Sequence, residues 1–125
     1  MRDALRTKDQ VLRAIHQLQR RSSTKLARTS DLATLLRIKE PSVTARLQEL
    51  AMNGLVRYQP RRGATLTTEG ERIAAHCTAR IQNIERFLSA VFRLPAGSAT
   101  EDAERVARFV SDRVMNGIVQ YLASV

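Results

Sequence analysis

The sequence contains no tryptophan, few other aromatic residues and a single cysteine, Cys77, among its 125 residues. One cysteine excludes an internal disulfide framework and is typical of a reducing compartment. An aromatic content of 4% is too low for the stacking surfaces that bind single-stranded nucleic acids. No apolar run approaches the roughly 20 residues that cross a bilayer, and the first residues lack an apolar signal region. We therefore expect a cytoplasmic protein without a membrane partner.

Groups suited to catalysis are also scarce. The imidazole and thiol groups belong to His16, His76 and Cys77. A cysteine–histidine pair needs a pocket and an orienting group, and the sequence supplies neither. No glycine-rich phosphate loop is present. We expect no enzymatic activity and no small-molecule substrate.

Acidic residues are too few to balance the basic ones, and the imbalance lies in one half of the chain. The formal net charge is +9. Residues 1–64 hold 14 Lys and Arg against 5 Asp and Glu, whereas residues 65–125 hold 7 of each. A basic half is the expected footprint of a polyanion, and double-stranded DNA is the leading candidate. RNA, anionic lipid or a charge that serves only solubility are the alternatives.

The basic half has the pattern of a winged helix-turn-helix. A first helix is predicted over about residues 6–21, where apolar side chains recur at helical spacing. A second helix is predicted to begin at Thr29 or Ser30, either of which can cap it with a hydroxyl group. Pro41 suits the first position of a third helix, where its missing N–H costs nothing. Gly54 can adopt the left-handed conformation that ends this helix.

A two-stranded wing is predicted next. Residues 55–59 alternate apolar and polar side chains, as in a half-buried strand. Residues 60–63 form a hairpin turn, and residues 64–67 return. A long helix is predicted from Thr67 or Thr68 to about residue 93. Residues 100–125 are expected to form two helices that are split near Ser111.

Short polar and basic side chains are placed where a helix-turn-helix meets DNA. The N-terminal turns of a recognition helix enter the major groove, which is about 12 Å wide. Arg46 could reach a guanine edge or a phosphate, and Ala45 could contact a thymine methyl group. Arg61 and Arg62 are placed for phosphates or for the minor groove beside the wing. The predicted DNA-binding residues are Arg28, Thr29, Lys39, Pro41, Ser42, Thr44, Ala45, Arg46, Arg57, Arg61 and Arg62.

With these motifs the sequence resembles the DtxR/MntR family of iron- and manganese-dependent transcriptional repressors, over nearly the whole chain and almost without gaps. The helix-turn-helix part alone is weakly specific, but helical motifs at the expected distances follow it. The matching segments are residues 12–18, 27–33, 41–44, 54–56, 66–70, 84–88 and 110–114, with Leu47 and Leu50.

The resemblance implies a mainly α fold. It consists of a winged helix-turn-helix with three helices and a two-stranded wing, followed by a long linking helix and a helical dimerisation region. The expected domains are a DNA-binding domain, residues 1–66, and a dimerisation domain, residues 67–125. The implied function is a repressor that binds a palindromic operator as a homodimer. The candidate dimerisation residues are Leu88, Val91, Phe92, Phe109 and Ile118.

The family's metal-ligand positions fall mostly on side chains that are poor ligands here. These positions are Gln10, Arg13, Ile81, Glu85, Glu104, Ala107 and Arg108. Only Glu85 and Glu104 carry carboxylates, and two carboxylates without imidazole or thiolate make a poor transition-metal site. We therefore expect no cofactor and no metal control of DNA binding.

Two alternatives stay open at this point. In one, Mn or Fe still controls the protein through relocated ligands, such as His16 with His76 or Cys77. In the other, the chain is a protein-interaction module that forms heterodimers with a related regulator. The salt dependence of the affinity distinguishes DNA binding from docking of helices on a protein, because only the affinity for DNA falls steeply as the salt concentration rises.

Overall fold

The computed structural model describes residues 7–125, so the part of the first predicted helix at residue 6 lies outside the described residues. Helices and one hairpin make up the described chain, and the predicted fold class is confirmed. The elements are α1 (Lys8–Arg21), α2 (Thr29–Leu36), α3 (Glu40–Met52), β1 (Val56–Gln59), β2 (Gly63–Leu66), α4 (Thr68–Phe92), α5 (Thr100–Ala107) and α6 (Asp112–Ser124).

The chain divides into two compact units, residues 1–75 and residues 76–125. The predicted domain boundary after residue 66 stays a prediction. In the first unit, the apolar stripe of α1 packs with α2, α3 and the hairpin around one core. Its fully buried large side chains are Val11, Leu12, Ile15, Leu32, Val43, Leu47 and Leu50.

The helix starts of the helix-turn-helix differ from the sequence prediction by one residue. Neither Thr29 nor Ser30 caps α2; Arg28 holds the cap position and makes no side-chain capping bond. The reason is tertiary, because the neighbouring Ala27 is bridged to Ala64 and the backbone stays extended through Arg28. In α3, Glu40 is the first helical residue, so Pro41 occupies the second position.

The wing is a hairpin fastened to the loop before α2. Strands β1 and β2 pair antiparallel, with Val56 opposite Leu66 and Gln59 opposite Gly63. Ala27 and Ala64 exchange two backbone hydrogen bonds of 2.9 Å, which adds a third chain segment to the hairpin. Strand β2 therefore has a hydrogen-bonded neighbour on each side, with β1 on one side and Ala27 on the other.

A threonine begins α4, as predicted. The Thr67 hydroxyl accepts a 3.1 Å hydrogen bond from Gly70 N and donates one of 2.8 Å to Gly54 O. In the first turn, Arg72 donates two hydrogen bonds to Glu69, of 3.0 and 2.6 Å. These bonds lower the pKa of Glu69 and raise the pKa of Arg72. Both side chains are exposed, so the pair adds little to stability.

The second unit has its own core and the predicted helix split. The core contains Ile81, Ile84, Ala103, Met115 and Ile118. Ser111 caps α6 by accepting a 3.2 Å hydrogen bond from Val114 N, so the chain starts a new helix at the predicted place. None of the helices within residues 7–125 has the length and apolarity needed to span a bilayer.

Arg80 fastens the turn between α5 and α6. Its guanidinium donates to Val110 O at 2.7 Å, to Ala107 O at 3.3 Å and to Asp112 Oδ1 at 3.1 Å. The Arg80 side chain is 17% exposed, whereas the Asp112 side chain is 92% exposed. Two of its partners are carbonyl groups at the end of α5, where a positive charge is favoured. Most of the stabilisation by Arg80 therefore comes from the carbonyls rather than from the exposed carboxylate.

Because of this difference, we expect substitutions of Arg80 and of Asp112 to change the stability of the protein by different amounts. We expect Arg80→Met to lower the free energy of unfolding by about 2 kcal/mol, because charged hydrogen bonds to the carbonyls are lost. We expect Asp112→Asn to lower it by less than about 1 kcal/mol, because that partner is exposed. Urea unfolding at one fixed protein concentration measures both. Equal losses for the two variants would show that the salt bridge, and not the carbonyl contacts, is the important interaction.

Candidate nucleic-acid interface

An open cleft of about 650 Å³ lies on the first unit between the start of α2, the start of α3 and the wing. Basic and hydroxyl-bearing side chains dominate its wall. The lining residues are Thr24, Leu26, Arg28, Thr29, Ser30, Glu40, Thr44, Tyr58, Arg61 and Arg62. We call this surface the basic cleft.

Three local structures position the polar groups of the basic cleft. Arg28 holds the cap of α2, which places Thr29 at the first helical position, beside free backbone N–H groups. Thr44 lies one turn into α3. Arg61 and Arg62 come from the turn of the wing. Helix N-termini and guanidinium groups are both good partners for phosphate oxygens.

The electrostatics of the basic cleft is one-sided. Within the described residues, Arg28, Arg61 and Arg62 are exposed and take part in no salt bridge. Glu40 is the one acidic side chain in the lining, and it lies in the first turn of α3, where a negative charge is favoured by the helix dipole. The unpaired guanidinium groups lie on the α2 and wing sides, so these sides are suited to bind the DNA backbone.

The structure brings together part of the predicted DNA-binding set. Arg28, Thr29, Thr44, Arg61 and Arg62 all line the basic cleft. The other predicted residues are not part of its lining. Lys39, Pro41 and Ala45 are exposed, Ser42 and Arg46 are half-buried, and Arg57 is exposed on β1. Arg46 Nη1 lies 3.8 Å from Glu49 Oε2. Their DNA-binding roles stay predictions.

The predicted DNA-binding set omits four polar residues of the cleft wall, which are Thr24, Ser30, Glu40 and Tyr58. The sequence indicates only helix capping for Ser30 and strand alternation for Tyr58, and it indicates no site role for Thr24 or Glu40. The signal that could have found Ser30 is its position beside Thr29 at a helix start, since hydroxyls there are common phosphate ligands. Tyr58 and Thr24 could not be placed, because the bridge between Ala27 and Ala64 brings their segments together.

The metal-ligand positions implied by the family resemblance have other roles in the described structure. Ile81 is a core residue of the second unit, and Ala107 packs against that core. Gln10 belongs to the capping box of α1, in which its Oε1 accepts a 2.9 Å hydrogen bond from Thr7 N. Glu85 Oε2 accepts a 2.7 Å hydrogen bond from the Thr100 hydroxyl.

The side chains that commonly bind transition metals are not grouped together in the described residues. No cluster of three or more His, Cys, Asp or Glu side chains that could hold an ion occurs between residues 7 and 125. Carboxylate, imidazole and thiolate groups are the usual ligands for Mn, Fe and Zn.

The predicted dimerisation residues fall into two groups in the second unit. Phe109 is 87% exposed and Phe92 64% exposed, and Val91 is also exposed. Leu88 is half-buried against the unit's core. Ile118 is only 7% exposed, because it belongs to that core. Ile118 therefore packs inside its own unit and the two phenylalanines are exposed, and the dimerisation roles of all five residues stay predictions.

The hairpin wing, the basic cleft and the separate helical unit with exposed phenylalanines together define the class of winged-helix transcriptional regulators. Residues 3–64 match the family model described as iron dependent repressor, N-terminal DNA binding domain. Residues 67–125 match the model described as iron dependent repressor, metal binding and dimerisation domain. The chain belongs to the iron-dependent repressor family, also called the DtxR/MntR family, as the resemblance predicted.

Individual relatives agree with this assignment. The transcriptional regulator MntR of Escherichia coli is 37% identical over 90 residues, which cover 72% of this chain and 57% of that protein. The diphtheria toxin repressor of Corynebacterium glutamicum is 26% identical over the whole chain and 54% of its own length. This chain thus spans little more than half the length of these relatives.

Solved structures confirm the fold. A manganese-dependent transcriptional repressor in complex with manganese has a TM-score of 0.83 and 26% identity, over 94% of this chain and 53% of that one. The manganese regulator SloR has a TM-score of 0.77 and 24% identity, over 94% of this chain and 54% of that one.

The prediction that the protein has no cofactor is wrong. The model that matches residues 67–125 describes a metal binding domain, and the solved relative at 26% identity contains manganese. A metal ion is therefore the cofactor that family membership indicates. The prediction failed because it judged only the side chains at the aligned ligand positions. Manganese also accepts carbonyl and water oxygens, which a comparison of side chains does not count.

Proposed function

We propose that this protein is a metal-dependent transcriptional repressor that binds double-stranded DNA in the cytoplasm. The observation that carries the proposal is the basic cleft, in which the unpaired guanidinium groups of Arg28, Arg61 and Arg62 lie around the start of α3. Unpaired arginines at a concave surface supply the electrostatic part of DNA affinity. The family of transcriptional regulators to which the chain belongs supports this reading.

The first contacts in the proposed complex are those to the DNA backbone. Arg28 and Thr29 bind a phosphate at the start of α2, where the free N–H groups of the helix add to the positive potential. Arg62 and Arg57 bind phosphates beside the wing. Such contacts orient the protein on the duplex but carry no sequence information.

The second set of contacts lies in the major groove. The N-terminal half of α3 enters the groove and presents Thr44, Ala45 and Arg46 to the base edges, with Lys39 and Ser42 near the backbone. Arg46 would exchange its weak contact with Glu49, 3.8 Å away, for a guanine edge or a phosphate. Pro41 fixes the backbone at the start of this helix.

A homodimer on a palindromic operator completes the proposal. The exposed Val91, Phe92 and Phe109 of the second unit form the proposed interface, together with the half-buried Leu88. Burying such side chains between two copies is favourable because apolar surface leaves water. A two-fold symmetric dimer matches a palindrome whose half-sites are spaced by one helical turn of DNA or its multiples.

Metal control enters the proposal from family membership alone. A bound ion would raise the affinity for DNA, and typical couplings of this kind change affinity about 5- to 150-fold. The basic cleft itself consists of side chains that contact DNA directly, so its role can be tested separately from that of the metal.

The proposed function is tested by selecting a binding duplex from a random library and titrating it at several salt concentrations. We expect the logarithm of the association constant to fall linearly with the logarithm of salt, with a slope of about −5. This slope corresponds to Arg28, Arg57 and Arg62 from two protomers neutralising phosphates. Chelator should weaken binding about 5- to 150-fold and added Mn²⁺ should restore it.

Two results would contradict parts of the proposed function. Failure to select any duplex, with or without Mn²⁺, would contradict DNA binding and would favour the heterodimer module. Salt-dependent binding that ignores both chelator and Mn²⁺ would retain the DNA-binding function and contradict metal control.

A further inference from the structure

The turn of the wing has an unusual residue at its apex. Arg62 N donates a 3.0 Å hydrogen bond to Gln59 O, so residues 59–62 form a β-turn with Pro60 second and Arg61 third. The backbone φ of Arg61 is +68°. A proline followed by a residue with positive φ is the pattern of a type II turn, in which the third position prefers glycine or asparagine. Arginine is a strained choice there.

Two of the three other basic residues with positive φ have a local explanation that Arg61 lacks, and the third, Lys25, lies in the loop between α1 and α2. Arg37 and Arg93, with φ of 59° and 55°, follow the C-termini of α2 and α4. At both places the next residue closes the helix end with a hydrogen bond, and a positive charge there interacts favourably with the helix dipole. Arg61 follows no helix, so no such effect offsets its strain.

The surrounding structure imposes this conformation on Arg61. A Cβ atom added at Gly63 would overlap Ala27 O and lie 2.9 Å from Arg28 Cα. The backbone at Gly63 is therefore so close to the loop before α2 that only glycine fits. The paired bonds between Ala27 and Ala64 lock the returning strand, and Pro60 restricts its own φ. Strained residues that a rigid frame holds in place are concentrated at functional sites.

We propose that Arg61 enters the DNA minor groove beside the α3 contact and gives the protein a preference for A·T-rich sequence there. The proposal rests on the DNA-binding function proposed above. Arg61 lies at the apex of the wing, and Arg61 and Thr44 line the same cleft. With α3 in the major groove, the wing is adjacent to the neighbouring minor groove. A·T-rich minor grooves are narrow and strongly negative, and they attract inserted arginine.

This role accounts for an arginine at a position where glycine fits the backbone better. Guanidinium is less strongly hydrated than ammonium, so it enters a narrow groove more readily than lysine does. Arg62, in contrast, closes the turn with its backbone N–H and lies directly before β2. It is therefore placed to contact a phosphate and serves as the matched control.

The test compares three variants on one duplex core with three different flanks. The core is selected by the wild-type protein, and the flanks are A·T, G·C or inosine·C pairs. An inosine·C pair has the major-groove pattern of G·C but lacks the amino group in the minor groove. We expect the wild type to bind the A·T and inosine·C flanks about 10-fold more tightly than the G·C flank.

The variants separate groove insertion from charge and strain. Arg61→Ala and Arg61→Gly should both abolish the flank preference. Arg62→Ala should weaken binding to all three duplexes equally and keep the preference. Thermal melting should place Arg61→Gly about 2–4 °C above Arg61→Ala, because only glycine relieves the positive φ.

Several results would overturn the inference. It fails if the wild type shows no flank preference, if the preference survives in Arg61→Ala, or if Arg61→Gly melts below Arg61→Ala. In each of these cases salt-dependent binding of the selected core would leave the proposed DNA-binding function intact. If the wild type binds no duplex at all, both proposals fail together.

Discussion

Gly70→Ala is expected to lower the free energy of unfolding by about 3 kcal/mol, although alanine is the better helix former. Gly70 lies in the first turn of α4, and its Cα packs against the backbone before β1. An added Cβ would overlap Leu55 O and lie 3.1 Å from the Leu55 carbonyl carbon. The overlapping group is backbone that the Thr67 N–H also binds, at 3.1 Å, so it cannot move away cheaply. Urea unfolding measures the loss.

Gly117→Ala is the matched control for this substitution. Gly117 also lies within a helix, α6, but a Cβ atom there would meet nothing within 4 Å. We expect this variant to be as stable as the wild type or more stable by up to about 1 kcal/mol, which is the helix-propensity difference. Similar effects of the two substitutions would contradict the close approach of α4 to Leu55.

The largest functional effect is expected from reversing two charges in the basic cleft. The double variant Arg28→Glu with Arg62→Glu should weaken binding to the selected duplex by at least about 100-fold at low salt. Both side chains are exposed in the cleft, so their replacement removes favourable charges and adds repulsion towards phosphates. The salt dependence should become shallower as well, because fewer counterions are released.

The control is a double variant with the same change in net charge on the other unit. Arg86→Glu with Arg113→Glu alters exposed positions of α4 and α6 outside the cleft lining. We expect less than about a 5-fold loss, because neither side chain belongs to the proposed DNA contacts and the remaining effect of net charge is screened by salt. If both double variants weaken binding equally, overall charge rather than the basic cleft determines the affinity. Circular dichroism verifies that both variants remain folded.

Local signals in the sequence were sufficient for the order of the elements. Hydrophobic periodicity predicts α1, α2, α3 and the long α4. The hydroxyl caps predicted at Thr67 and Ser111 are confirmed, because each hydroxyl bonds a backbone N–H only three residues away and needs no tertiary contact to do so. The error at the start of α2 has the opposite cause. Arg28 is extended because Ala27 pairs with Ala64, a residue far away in the sequence.

The candidate site could be predicted only in part. Arg28, Thr29, Thr44, Arg61 and Arg62 are in the predicted DNA-binding set and line one cleft in the structure, and their contacts with DNA stay a prediction. Tyr58 and Thr24 join them only through the pairing of the wing with the loop before α2. Ile118 was predicted at the dimer interface and lies in the core of the second unit, because helical spacing cannot distinguish a face that packs inside the unit from one that is exposed.

The sequence by itself determined the class of this protein, through the charge confined to residues 1–64 and the helix, turn and wing signals within them. These are local properties, and no long-range contact is needed to read them. The tertiary structure alone decided which polar groups share the basic cleft, why Gly63 and Gly70 must be glycine, and that Arg61 is held at a positive φ. Each of these depends on segments such as Ala27 and Ala64 meeting in space, and a one-dimensional pattern does not encode that contact.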